Sequence, residues 1–289
     1  MRGRLRLVKI LLTGATGYIG SAVRTALIER GHEVTALVRS SAASAVVSES
    51  GASAVTGDVG DAALVRELAG KNDGVIHLAA PGPDVEASFA EAVLAASPEV
   101  FIRTGGVWVH GPGEAITEDT PRAAPALVAW REAIDLPVLA APGVRSVLIE
   151  PGIVYGHGKG IPGLVVGAAQ SGTFIGDGSQ HWTTVHVDDL AALYVLALEK
   201  ASAGSVFLGV GGDNPTAREL GEAADRRLGL GGRVGPEDPA RTIARLGDFG
   251  AALLVSQQAG GEKARRVLGW QPSRPSLISE IAAGGYDPS

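Results

Sequence analysis

Three glycines at the close of an apolar run carry the first chemistry legible in this chain. Val8-Lys9-Ile10-Leu11-Leu12-Thr13-Gly14-Ala15-Thr16-Gly17-Tyr18-Ile19-Gly20 reads as a strand, a G-x-x-G-x-x-G turn and the start of a helix. The first glycine permits a tight turn, the second lets a phosphate approach the backbone, and the third lets helix and strand pack closely. The helix start then presents unpaired N–H groups to a pyrophosphate. Gly14, Ala15, Thr16, Gly17, Tyr18, Ile19 and Gly20 are therefore the expected diphosphate site, and the strand before them with the helix after them makes the motif specific.

The end of the second strand candidate decides which dinucleotide is preferred. An acidic side chain there would bind a ribose 2′-hydroxyl, but Ala36-Leu37-Val38-Arg39-Ser40 offers none. Arg39, helped by Ser40, suits a 2′-phosphate through paired, charge-assisted hydrogen bonds, so NADP(H) is the expected cofactor. Asp58, followed by Val59, comes after the third strand, where a carboxylate can accept from an adenine amino group. Leu78, Ala79 and Ala80 follow the fourth, where small residues let the backbone pass close to a ribose.

Histidine is the available proton donor near neutral pH. His110 follows the fifth strand candidate, where open α/β sheets bind ligands, and His157 and His181 stand in loops. Their alternative reading is as surface or loop residues. His186 is expected to partner a helix start, His77 to be buried in a strand and His32 to sit in a turn. The spacing of these residues gives no metal site, so none is expected. Trp108, Trp130 and Trp182 could wall an apolar pocket or belong to the core.

These residues need elements to hold them. Val8–Leu12, Val34–Val38, Ala54–Thr56, Gly74–Leu78, Val100–Thr104 and Val144–Ile149 are apolar strand candidates, alternating with helical spacing over Ile19–Arg30, Ala62–Ala69 and Val85–Ala96. Strands apolar on both faces between helices imply a parallel sheet covered on both sides, and right-handed crossovers make it doubly wound. After Pro151 the rhythm changes, then Val187–Lys200 reads as a helix and Val206–Val210 as a strand. The fold class is thus α/β, a doubly wound parallel Rossmann sheet with a smaller C-terminal substrate-binding lobe. Residues 1–154 would form the dinucleotide domain, completed by about 186–210, with 155–185 and 211–289 as the lobe.

With these motifs in place the chain resembles the extended short-chain dehydrogenase/reductase family, which includes nucleotide-sugar epimerases and dehydratases. The resemblance rests on the glycine turn, Gly57-Asp58-Val59, His77-Leu78-Ala79-Ala80 and Pro151-Gly152-Ile153-Val154-Tyr155-Gly156. It continues through Gly176-Asp177-Gly178, Val185-His186-Val187-Asp188-Asp189-Leu190 and Lys263–Pro272. It implies that Pro151, Gly152 and Val154 border the cofactor. It also implies a Ser or Thr after the fifth strand and a Tyr-x-x-x-Lys pair on the next helix, where the phenol exchanges a proton with the substrate oxygen. Here the chain departs from the family. Gly106 stands at the hydroxyl position, with Thr104 two residues upstream; Leu127 stands for the tyrosine and Arg131 for the lysine. Leucine moves no proton, although arginine can still bond a ribose. Tyr155-Gly156-His157-Gly158-Lys159 matches the string, but its glycines make it a loop; Tyr155 could still border the pocket. Glu150 stands where relatives carry arginine, which makes a phosphorylated substrate less suited.

Thr104, Arg131, Tyr155 and His110 are accordingly the catalytic candidates, with Thr104 and Arg131 also facing the cofactor. The expected function is NADP(H)-dependent reduction of a small hydrophobic carbonyl or imine with a non-standard proton donor. Two alternatives stay open: a non-redox isomerase, dehydratase or cyclase on the same scaffold, and a non-enzymatic NADP sensor.

Bulk composition narrows the classes further. The chain has 289 residues and no cysteine, which excludes disulfides and thiolate catalysis and fits a reducing, cytoplasmic setting. Its formal net charge is −6 with cations scattered, so nucleic acid is not an expected partner. No apolar run is long enough to span a membrane, and Met1–Arg6 reads as the approach to the first strand rather than a targeting segment. A small-molecule substrate and a monomer or homodimer are expected.

Overall fold

The computed structural model describes residues 7–288, so Met1–Arg6 and the reading placed on them lie outside the described residues. In chain order the strands are β1 (Lys9–Thr13), β2 (Glu33–Val38), β3 (Ser53–Thr56), β4 (Gly74–His77), β5 (Val100–Thr104), β6 (Gly113–Ile116), β7 (Arg145–Pro151), β8 (Ile153–Tyr155), β9 (Thr184–His186), β10 (Ser205–Gly209) and β11 (Gln257–Ala259). The helices are α1 (Tyr18–Glu29), α2 (Ser41–Glu49), α3 (Ala62–Gly70), α4 (Pro83–Ala96), α5 (Glu132–Ala140), α6 (Gly163–Gln170), α7 (Val187–Lys200), α8 (Ala217–Leu228), α9 (Pro239–Leu253), α10 (Glu262–Leu268) and α11 (Leu277–Ala282).

Seven strands make one sheet in the order β10-β7-β5-β4-β1-β2-β3. The pairs β1–β2, β1–β4, β2–β3, β4–β5 and β5–β7 are all parallel. The cause is visible in the strands: Ile10, Leu11 and Leu12 are fully buried, as are Val75 and Ile76, so both faces need a cover. One such cover joins Leu11, Val75 and Phe101 of the sheet to Phe89 and Val93 of α4 and Val65 of α3. Strand order runs outward in opposite directions from β1 and β4, which makes their carboxyl ends the topological switch point where open α/β sheets take ligands. Thr13 and His77, paired in register, close the two strands there.

The chain divides into two compact units. The first comprises Met1–Thr104, Arg131–Ile149 and Ala191–Val206; the second comprises Gly105–Trp130, Glu150–Leu190 and Phe207–Ser289. This differs from the expected boundary, because residues 105–130 join the second unit, which is also the longer of the two in residues. A physical reason lies in β6, which pairs in parallel with β11 and buries Ile116 with Val107, Leu208, Val210 and Ala259. The second unit has its own core of Tyr155, Trp182, Leu220, Leu253, Leu277 and Tyr286, together with the short parallel pair β8–β9.

One local expectation is corrected. The segment from Ala126 to Arg131 is a turn and a short 3₁₀ stretch over Ala129–Arg131, and regular helix begins only at Glu132. Leu127 and Arg131 therefore do not share a helical face. No helix among the described residues is long and apolar enough to cross a membrane.

Candidate functional site

At the switch point, Gly14 adopts a φ of 69°, and a side chain there would meet the backbone carbon of Leu78 at 2.6 Å. The turn is thus pressed against the chain leaving β4, which only glycine permits. A side chain on Gly20 would collide with the Gly14 carbonyl, so the third glycine seats α1 against the loop. Gly17 is the N-cap of α1 and supplies no side-chain cap, and the first turn carries no acidic residue. That end of the helix suits an anion in both charge and space.

Around it lies a cavity of about 340 Å³ lined by Gly14, Ala15, Thr16, Arg39, Asp58, Val59, Ala79 and Ala80, with Leu37, Val38, Gly57, Pro81 and Val85. The first eight of these are among the cofactor residues expected from sequence. Arg39 is exposed and has no hydrogen-bond or ionic partner among the described residues. Ser40 caps α2, accepting from the Ala43 amide at 3.2 Å, which ties its oxygen to the helix start. Asp58 accepts from the Gly60 amide at 2.7 Å through one carboxylate oxygen.

Two residues that sequence reasoning passed over hold this turn. Thr13 Oγ1 bonds His77 Nδ1 at 2.7 Å and accepts from the Leu78 and Ala79 amides at 3.2 and 3.4 Å. Arg24, buried on α1, donates to the Ala15 carbonyl at 2.9 Å. A hydroxyl closing an apolar strand, and an arginine on the buried face of the next helix, were the available signals.

Beneath the site runs a fully buried polar chain. His77 lies 3.3 Å from Glu86, Glu86 lies 3.2 Å from Arg103, and Arg103 bonds Asp135 at 3.1 Å. Burial, reinforced by Arg103 and Arg131, lowers the His77 pKa despite Glu86 beside it. Glu86 is held ionised: burial acts against the charge, but His77 and the two arginines outweigh it.

The four catalytic candidates divide between the two units. In the first unit, Thr104 Oγ1 donates to the His77 carbonyl at 2.8 Å and lies 2.7 Å from the Tyr194 hydroxyl, while Arg131 donates to the Thr104 carbonyl at 3.0 Å. Thr104 has one hydroxyl proton, already given to His77, so Tyr194 is the donor in their bond. Burial raises the Tyr194 pKa, which keeps the phenol neutral. Tyr194, taken from sequence as a core residue, is fully buried but also joins this hydrogen-bonded group.

In the second unit, His110 and Tyr155 both have hydrogen-bond partners within that unit. His110 bonds Glu150 through Nε2 at 2.8 Å and the Thr120 carbonyl through Nδ1 at 2.9 Å. Burial opposes its charge, but the Glu150 bond prevails and raises its pKa. Glu150, fully buried, also takes Arg122 at 2.9 Å, so its carboxylate has both the imidazole and a guanidinium as partners. Tyr155 is buried and donates to the Pro275 carbonyl at 2.7 Å; burial pushes its pKa up. Lys159 stands in the loop beyond, whose backbone is held by the Tyr286 hydroxyl. Pro151, Gly152 and Val154 also belong to this unit, and a side chain on Gly152 would meet the Thr183 carbonyl at 2.5 Å. Trp182 is core, donating to the Leu253 carbonyl at 2.9 Å.

A model of the NAD dependent epimerase/dehydratase family matches residues 10–102. A UDP-glucose 4-epimerase of Mycolicibacterium smegmatis is 30% identical over 305 residues, covering 92% of this chain and 94% of that protein. The chain belongs to the NAD dependent epimerase/dehydratase family. An uncharacterized protein of Schizosaccharomyces pombe is likewise 30% identical, over 96% of this family member and 100% of its own length. Among solved structures, DesIV of Streptomyces venezuelae, a dTDP-glucose 4,6-dehydratase crystallised with NAD and TYD, superposes with a TM-score of 0.78. It covers 96% of this chain and 95% of its own at 22% identity, a likeness of fold. An epimerase/dehydratase-family scaffold with a nicotinamide-dinucleotide site fits the glycine turn, the bare helix end and the cavity described above.

Proposed function

We propose that this family member is an NADP(H)-dependent oxidoreductase that reduces a small hydrophobic substrate, and that the reducible group is an imine rather than a carbonyl. The observation that carries the coenzyme choice is Arg39, an unpartnered guanidinium lining the nucleotide cavity where a ribose-binding carboxylate would otherwise stand. In this reading the first turn of α1 holds the diphosphate, Arg39 the 2′-phosphate, the second oxygen of Asp58 the adenine amino group, and Arg131 a ribose hydroxyl.

Substrate choice follows from where the protons are. Thr104 has spent its proton on His77, the Tyr194 hydroxyl points to Thr104, and Tyr155 and His110 are committed within their own unit. A ketone needs a proton as well as a hydride, whereas a protonated imine needs only the hydride. A reduced nicotinamide held there would supply that hydride to the C=N⁺ carbon, giving the amine and the oxidised coenzyme. The residues hold and orient, and orientation alone supplies several kcal/mol.

NADPH consumption by the purified protein against matched aldehydes, ketones and cyclic imines tests this. Faster turnover of the imines is expected. Consumption with ketones alone would overturn the imine assignment, and a product of unchanged oxidation state would move the function to epimerisation or dehydration.

A further inference from the structure

The Tyr155-Gly156-His157-Gly158-Lys159 loop serves neither the nucleotide cavity nor the Thr104 group, yet its backbone is held in an unusual shape. His157 has a φ of 54°, one of two non-glycine residues in the left-handed region among the described residues. Such a conformation persists where surrounding contacts impose it. Here the contacts bring His157 Nε2 to 2.9 Å from Asp188 Oδ1, at the start of α7. His186 completes the group: one ligand atom from each of His157, His186 and Asp188 lies within 4.8 Å of the others.

We propose that His157, His186 and Asp188 form a site for a divalent ion of zinc type, clipping the loop after β8 to the start of α7. Two imidazoles and one carboxylate are a donor set that such ions take, with a fourth position left to water. The tautomer of His186 suits it. Its Nδ1 accepts from the Asp188 amide at 3.1 Å, so Nδ1 carries the lone pair, and Nε2 faces Glu280 Oε1 at 3.5 Å. A carboxylate behind a ligating imidazole is the usual arrangement around a bound metal. Zinc–ligand distances near 2.0–2.2 Å require ligand atoms about 3.3 Å apart, so the group must tighten. His157 can supply that movement, since its side chain is 60% exposed.

One group works against the ion. Arg274 lies 3.1 Å from Asp188 Oδ2 and competes for the carboxylate, and the Asp188 amide competes for Nδ1. No spacing signal marks the site, because His157 lies on a loop separated from the other two by α6 and the segment that follows it.

Zn²⁺ titration of the chelator-stripped full chain by calorimetry, with Co²⁺ read by its visible absorption, tests the proposal. One ion per chain is expected, with a rise in Tm on adding Zn²⁺. His157→Ala, at an exposed position, should abolish both signals. Glu280→Gln should weaken binding about 10–100-fold by removing the carboxylate behind His186. Arg274→Gln should tighten it, and His181→Ala should leave it unchanged. Absence of saturable micromolar binding by the wild-type chain, or equal binding by His157→Ala, would overturn the site.

Discussion

The Tyr194 hydroxyl, on α7, lies 2.7 Å from Thr104 Oγ1 at the carboxyl end of β5. Because Thr104 passes its own proton to the His77 carbonyl, the three groups form a directed chain with the phenol at its head. Tyr194→Phe removes one buried hydrogen bond but leaves Thr104 bonded to His77, so a loss of about 0.5–1.5 kcal/mol is expected. Thr104→Val leaves both Tyr194 and the His77 carbonyl without this partner, and a loss of about 1–3 kcal/mol is expected. Denaturant unfolding of the two variants and their double mutant measures the coupling. Additive losses would show that the phenol and the hydroxyl do not act together.

The glycines of the nucleotide turn separate binding from stability. A methyl on Gly20 strikes the Gly14 carbonyl, which is backbone and cannot swing away, whereas one on Gly17 meets the same oxygen at 3.2 Å. Gly20→Ala should cost about 1–3 kcal/mol of stability together with coenzyme binding. Gly17→Ala should keep most of the stability and lose affinity, since its methyl stands where the diphosphate approaches. Thermal unfolding paired with coenzyme calorimetry distinguishes the two, and equal effects in both assays would show that the glycines share one role.

What could be read from sequence divides along a physical line. Leu11, Val75 and Phe101 announce the sheet because a buried parallel strand must be apolar on both faces, and Gly14 and Gly20 announce the turn because nothing with a side chain fits there. Arg39 and Asp58 follow from their place at strand ends. Polar groups that meet across long separations were not legible in this way. Tyr194 looks like any aromatic on an amphipathic helix, and only the packing of α7 brings it to Thr104. His110 stands after β5 as a proton donor would, but its buried hydrogen bond to Glu150, forty residues later, is not visible in the local sequence. The helix expected at Leu127 was displaced by a turn, so the four-residue spacing to Arg131 lost its geometric meaning.

The His110–Glu150 pair sets a pH dependence whose sign follows from the direction of the shift. The folded-state pKa of His110 is raised above the value of about 6.5 for an exposed imidazole. The stability it contributes is therefore complete below that value and is lost as pH rises through the raised folded pKa. His77 and His186 are shifted the opposite way, so their contributions change at lower pH and leave the range above neutrality to His110. Unfolding free energy should fall as pH rises from the exposed-imidazole value through the raised folded pKa, and His110→Gln should flatten the decline. Glu150→Gln removes the carboxylate that buried His110 and half-buried Arg122 share and should cost about 3–5 kcal/mol. An unchanged slope in His110→Gln would place the charge elsewhere.

Coenzyme preference turns on Arg39. The guanidinium is exposed, lines the nucleotide cavity and has no described partner, so a 2′-phosphate would not have to break an existing ion pair to reach it. A charge-assisted hydrogen bond contributes about 1.5–3 kcal/mol, which corresponds to roughly 10–100-fold in affinity. Arg39→Ala should therefore weaken NADPH by that factor and leave NADH almost unchanged, since NADH has no phosphate at that position. Arg39→Lys should retain the attraction but lose the paired geometry, falling between the two. Added salt should narrow the wild-type preference, because an exposed pair is screened. Calorimetry with both coenzymes at two ionic strengths reads all of these, and a wild-type chain that binds NADH as tightly as NADPH would remove Arg39 from coenzyme selection.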